Sequence, residues 1–258
     1  MSNVNQYSKA SHKFSTTYWI TLYKISAIAA LLQLAIMIVY FFVVAALGGK
    51  PASLEEYFAL FQNSPLEAFL RGDLFSLLIV AFYLGLVPGM FLALRNVDPV
   101  GAGFAGLLTL IAVALCFGTN SDFSMFHLSK EYAGAATEAQ RSQILAAGEA
   151  IVASDMWNSS GAYMSGLFLQ GAGMLLSIIM LRNSEFSKIT AIAGLIGNGL
   201  DLTQHLLHPF LPSMAEVILR SAGPFYLIWF PMLVRDFLRL YKSGDRQYKT
   251  EGKQAIPA

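Results

Sequence analysis

Long apolar runs with few or no formal charges recur along this chain, each close to the length that the hydrocarbon core of a bilayer demands. A span needs about 20 mostly apolar residues. Six segments meet that description, at 25–47, 74–94, 102–117, 160–181, 189–207 and 217–234. Backbone polar groups in hydrocarbon must be satisfied within the segment itself, so runs of this length are expected to be helices. The expected fold class is all-α, a polytopic six-transmembrane-helix bundle. Composition agrees, with 55% hydrophobic and 13% charged residues, where a soluble domain carries about 25% charged. The net charge of +1 provides no basic field for nucleic acid, which is excluded as a partner.

The runs divide the chain into an N-terminal tail (1–24), one membrane domain (25–240) and a basic C-terminal tail (241–258). The first run is too long for a signal-peptide core, so an uncleaved helix is expected. With the N-terminus inside, the inner segments hold Lys9, Lys13, Lys24, Arg95, Arg182, Lys188, Arg235, Arg239, Lys242, Arg246, Lys249 and Lys253. The outer segments hold Lys50, Arg71, Lys130, Arg141 and Arg220. The positive-inside rule therefore puts both termini in the cytoplasm. Short links at 95–101 and 182–188 make the flanking runs antiparallel neighbours, and Pro88, Pro224 and Pro231 are expected to bend their helices.

The two long loops carry helix-start signals. Ser53-Leu54-Glu55-Glu56 and Thr137-Glu138-Ala139-Gln140 have capping-box spacing, and Ser64-Pro65-Leu66-Glu67 adds Pro at the first helical position. Short amphipathic helices on the outer face are the expectation. Gly161, Gly166, Gly171, Gly173, Gly194, Gly197 and Gly199 offer small surfaces for close helix packing. Cys116 lies in an apolar run with no Cys or His beside it, and reads as a small buried hydrophobe.

The segment from Phe61 to Leu74, through Asn63, Phe69-Leu70-Arg71-Gly72 and Asp73-Leu74, resembles the Asn, then Phe-Arg-x-Gly, then Asp-Leu pattern of a bacterial multi-pass family, domain of unknown function 4386. The hairpin 166–199, through Leu181-Arg182-Asn183-Ser184, is similar to that family's Gly-rich helix, Arg-Ser turn and Leu-Gly helix. Asp201 falls where the family has an Asp, and 224–240 is similar to its closing helix. The resemblance covers most of the chain. It implies a six-span protein of the bacterial cytoplasmic (inner) membrane and supplies no activity.

Within the fifth run, the stretch from Gly197 to His208 sets an acid, an amide and two imidazoles in apolar surroundings. An ionisable residue inside a span is by default a candidate functional site. Asp201, His205 and His208 share a helix face at i, i+4 and i+7. His127 lies near Asp122 after the third run, and Asp73 opens the second. Such a set has the ligand chemistry of zinc. A structural reading competes with it: Asp201 pairs with Arg71 or Arg220, or bonds to its neighbours, while His205 and His208 sit at the interface beside Pro209.

The favoured expectation is a non-enzymatic integral membrane protein that binds a small lipophilic or lipid ligand, or a partner protein, with no cofactor. Its outward-facing polar pocket is built from Arg71, Asp73, Asn198, Asp201, His205 and Arg220. The alternative is a metal-dependent hydrolase of a lipid-like substrate, with His127, His205, His208 and Asp201 as zinc ligands and Asp201 as fourth ligand or base. A transporter ranks third, since the runs show no inverted repeat of broken helices. Under every reading the lipid bilayer is a partner.

Overall fold

The computed structural model describes the backbone of residues 2–154 and 157–254, and the side chains of residues 19–154 and 157–246. The side chains of Lys9, Lys13, Lys249 and Lys253 thus lie outside the described residues. Ten helices and no strand appear among those residues: α1 (Ser2–Leu47), α2 (Leu54–Asn63), α3 (Pro65–Arg71), α4 (Leu74–Leu94), α5 (Pro99–Thr119), α6 (Asp122–Gly134), α7 (Glu138–Val152), α8 (Ser160–Leu181), α9 (Lys188–Leu207) and α10 (Pro212–Gln254). Five stretches are long and apolar enough to cross a membrane: Trp19–Leu47, Leu74–Leu94, Pro99–Gly134, Ser160–Leu181 and Pro212–Arg246. α9, at 20 residues, is only one shorter than α4, but Asn198, Asp201, Gln204 and His205 dilute its apolar character.

Several boundaries differ from the apolar windows, for local reasons. α5 starts at Pro99 because Asp98 caps it, its carboxylate accepting from the Gly101 N–H at 2.7 Å. α9 starts behind Ser187, whose hydroxyl accepts from the Thr190 N–H at 3.1 Å. α1 begins at Ser2 and α10 extends to Gln254, so each continues as a single helix into the neighbouring tail segment. Pro88, Pro224 and Pro231 lie inside α4 and α10 without ending either helix.

Six helices close into a ring, in which α1 packs on α4, α4 on α5, α5 on α8, α8 on α9, α9 on α10, and α10 back on α1. Each is adjacent to its predecessor among the six, an arrangement that short links enforce between α4 and α5, α8 and α9, and α9 and α10. The interior holds Leu86, Met90, Leu94, Met180, Trp229, Phe230, Leu233 and Phe237, all fully buried. Where the surroundings are as apolar as the side chains, dispersion contacts and interhelical hydrogen bonds hold such a ring together. Ser26 on α1 donates to the Gly85 carbonyl of α4 at 2.7 Å, and Gln33 donates to the Ile79 carbonyl at 2.9 Å.

The remaining helices, α2, α3, α6 and α7, gather at the end of the ring where α1, α5 and α9 finish. They have a core of their own around Tyr57, Phe58, Phe61, Ala68 and Met125. Thr137 forms a complete capping box with Gln140, and Ser53 accepts from the Glu56 N–H at 3.2 Å. The Ser64 hydroxyl makes no capping bond, so α3 relies on Pro65 at its first position. α6 was not anticipated from the sequence, because its first turn mixes Asp122 and Ser124 with the aromatics.

Candidate binding site

Between this cap and the ends of α1, α4, α5 and α8 lies a cavity of about 910 Å³. Its ring side is lined by Tyr40 of α1, Cys116 of α5 and Ala162 of α8, and its cap side and rim by Trp157, Lys50, Glu55, Arg71, Asp73 and Glu149. The rim is partly neutralised internally. Lys50 Nζ meets Asp73 Oδ2 at 2.5 Å. Arg71 donates from Nε to the Gly49 carbonyl at 2.9 Å and from Nη1 to Glu67 Oε1 at 3.1 Å.

A buried carboxylate fixes the floor of the cap. Asp122, at the start of α6, accepts from the Tyr57 hydroxyl at 3.2 Å and from the Asp73 N–H at 2.8 Å. One side chain thereby joins α2, the start of α4 and α6. The link needs glycine at position 72, where an added Cβ would stand 2.6 Å from both Asp122 Oδ1 and the Tyr57 hydroxyl oxygen. Burial and the neighbouring Asp122 charge push the Tyr57 phenol well above its ordinary pKa.

A second polar group sits deeper, within the ring. The Tyr226 hydroxyl of α10 lies 2.9 Å from Asp201 Oδ2, 3.0 Å from Gln170 Oε1 and 3.5 Å from Asn198 Oδ1. Gln204 Nε2 donates to Asp201 Oδ1 at 2.9 Å. Asn198 donates to the Gly194 carbonyl at 2.8 Å and fits against Gly173 of α8, where a Cβ would collide with its amide. Asp201 is therefore held by neutral donors from its own helix and α10.

The histidines have a third setting. His205 is 2% exposed, and its Nε2 lies 2.8 Å from the Tyr163 carbonyl oxygen. A carbonyl can only accept, so that nitrogen carries the proton. The Tyr163 hydroxyl returns a bond to the His205 carbonyl at 3.3 Å, and the imidazole stacks on the Tyr163 ring at 4.7 Å. Gly166 leaves room for the ring. His208 lies flat on Trp157, 3.6 Å between centroids at 10°.

The structure thus separates what the sequence placed in one pocket. Arg71 and Asp73 line the cavity. Asn198 and Asp201 form the deeper cluster, His205 is enclosed beside α8, and Arg220 lies on the exposed flank of α10, 2.6 Å from Glu216. Neither arginine pairs with Asp201. Arg71 is held by Glu67 and Arg220 by Glu216, each one helical turn away along its own helix, so the hydrogen-bonded arrangement is the one present. His127 lies on α6, and among the described residues no three His, Cys, Asp or Glu side chains come together as a metal site would require. His205 has its Nε2 proton directed at a carbonyl, and His208 is engaged with Trp157.

Three contributors escaped the sequence reading. Cys116 is half-buried and lines the cavity rather than filling the core. Asp122 had appeared only as a neighbour of His127, although an acid at the start of a helix is itself a signal. Asp236 is fully buried on α10 and accepts from the Ser187 N–H at 2.8 Å and the Thr190 hydroxyl at 2.5 Å, so that it caps α9 from the next helix. No family model matches the chain, and neither a curated protein nor a solved structure matches it.

Proposed function

We propose that this chain is a six-span protein of a bacterial cytoplasmic membrane that binds a small lipophilic or lipid ligand in the cavity beneath its cap. The likeness to domain of unknown function 4386 belongs to this reading and contributes the architecture alone. α9 serves as the sixth span. Its outward residues Ile189, Ile192, Ile196, Thr203 and Leu206 are exposed and uncharged, and the Thr203 hydroxyl is satisfied by the Gly199 carbonyl at 2.7 Å. α9 thus turns a lipid-compatible face outward and its polar residues inward, as intramembrane polar groups require. The uncapped end carries Lys24, Arg95, Arg182, Lys188, Arg235, Arg239, Lys242 and Arg246, so it faces the cytoplasm with both termini, and the cap faces outward.

The observation that carries the binding role is the cavity itself. Its volume lies within the range of about 300–1,000 Å³ typical of ligand sites, and it joins charged side chains on the cap side to Tyr40, Cys116 and Ala162 on the ring side. That gradient suits a molecule with one polar and one apolar end. Native mass spectrometry of the full chain, offered a total lipid extract in detergent, tests it. Wild type is expected to retain a small molecule at a fixed ratio, and Ala162→Trp, which fills the cavity, to lose it with its thermal unfolding midpoint unchanged. Equal retention by both proteins, or none by wild type, contradicts the reading.

A further inference from the structure

At the opposite end of the ring, α10 carries a groove of about 570 Å³ along its outer face. Pro231 and Val234 line its upper end, Arg235, Leu238 and Arg239 its middle, and Lys242 and Arg246 its lower end, so that apolar and cationic side chains run side by side before the cations take over. The four cations follow one another at steps of four, three and four residues, the spacing that keeps side chains on one helix face. From Pro231 to Arg246 the groove extends about 22 Å, at about 1.5 Å rise per residue. All four cations are exposed. Arg239 reaches Asp236 at 3.6 Å and the Glu185 carbonyl, and Arg246 bonds to the Lys242 carbonyl at 3.3 Å. Asp236 is buried, with Oδ2 accepting from Ser187 and Thr190 and Oδ1 facing Arg239, so it offsets part of the Arg239 charge and leaves Arg235 and Lys242 as the groove's other cations beside the apolar lining.

The structure assigns this groove to an anionic phospholipid, with the phosphate held among Arg235, Arg239 and Lys242 and an acyl chain laid over Leu238, Val234 and Pro231. Two features select a lipid over a soluble anion or an acidic peptide. The cations sit directly below the apolar outer face of the helix, where Leu227 and Ile228 are also exposed. A headgroup bound there leaves its acyl chains running along that face, whereas a soluble anion makes no use of it. Arginine also suits phosphate geometrically, since its planar fork donates two parallel bonds. The site is independent of the cavity under the cap, being at the other end of the molecule and on a different surface.

The experiment reconstitutes the full chain in nanodiscs of equal phosphatidylglycerol and phosphatidylcholine, then strips the lipid with mild detergent and measures what stays bound. Wild type is expected to be enriched in phosphatidylglycerol. Arg235→Gln with Lys242→Gln should reduce that enrichment about 25-fold, at about fivefold per cation near a membrane surface. Lys130→Gln, exposed on α6 at the capped end and outside the cavity lining, should leave it unchanged. A wild type without preference, or a double variant that keeps it, overturns the assignment, and the wild-type measurement alone decides if the double variant does not fold. Displacement of the lipid by millimolar glycerol phosphate would show that the groove reads a phosphate group without its acyl chain, and would overturn it too.

Discussion

Tyr57 illustrates how one residue's environment sets a condition on the whole cap. Its hydroxyl donates to the buried Asp122 carboxylate, and ionising it would place two negative charges 3.2 Å apart. Its pKa is raised in the fold from the ordinary value of 10.0, so the stabilisation is fully present below about pH 10 and is lost as pH climbs from there towards the folded value. The cap is therefore expected to loosen at high alkali, and Tyr57→Phe to flatten that dependence between pH 9 and 11, read as tyrosine-independent tryptophan fluorescence of Trp157. The glycines make a sharper pair. Gly173→Ala drives a methyl into the Asn198 amide, whereas Gly171 faces open space. The first should lower stability by about 1–3 kcal/mol, the usual cost of overpacking. The second should be neutral in a thermal unfolding assay. Sequence alone named both as packing glycines, because it shows which residues are small but not which side of the helix meets a neighbour.

At the scale of the element, apolar length located most of the helices in the ring, since α4 and α8 coincide with their uncharged runs. It is least decisive where polarity is placed inward: 189–207 is counted among the six apolar runs, yet α9 is not one of the five stretches long and apolar enough to cross a membrane. α9 is polar on its packed face and apolar on its outer one, and a window average cannot distinguish that from a weak span. Caps were legible where a hydroxyl or carboxylate precedes the helix in sequence, as with Thr137 and Asp98. Asp236 was not, because it caps α9 from another helix. The outer face of α9 supplies the test at this scale. Ile196 lies near the middle of the helix and is exposed, so Ile196→Asp should cost about 2.5–3.5 kcal/mol of insertion. A strong fall in membrane-integrated protein is the expected result, measured by alkaline extraction, with Gly171→Ala as the unaffected control.

For the whole molecule, the sequence located the polar groups but not their grouping. Arg71 and Asp73 line a cavity, Asp201 and Asn198 join Tyr226 and Gln170, and His205 closes against Tyr163; each set was assembled by helices far apart in the chain. Periodicity reports which residues share one helix face and says nothing of the face opposite. The account depends on α9 crossing the bilayer, because that crossing places the cap and the basic groove on opposite sides. A pair of single-cysteine proteins tests it directly: in a Cys116→Ser background, Glu149→Cys marks the cavity rim and Lys242→Cys the groove. With a membrane-impermeant maleimide applied to intact cells, the thiol at 149 should react and the thiol at 242 only after the membrane is opened. If both react from the same side, α9 does not span, and the six-helix ring in the membrane is wrong.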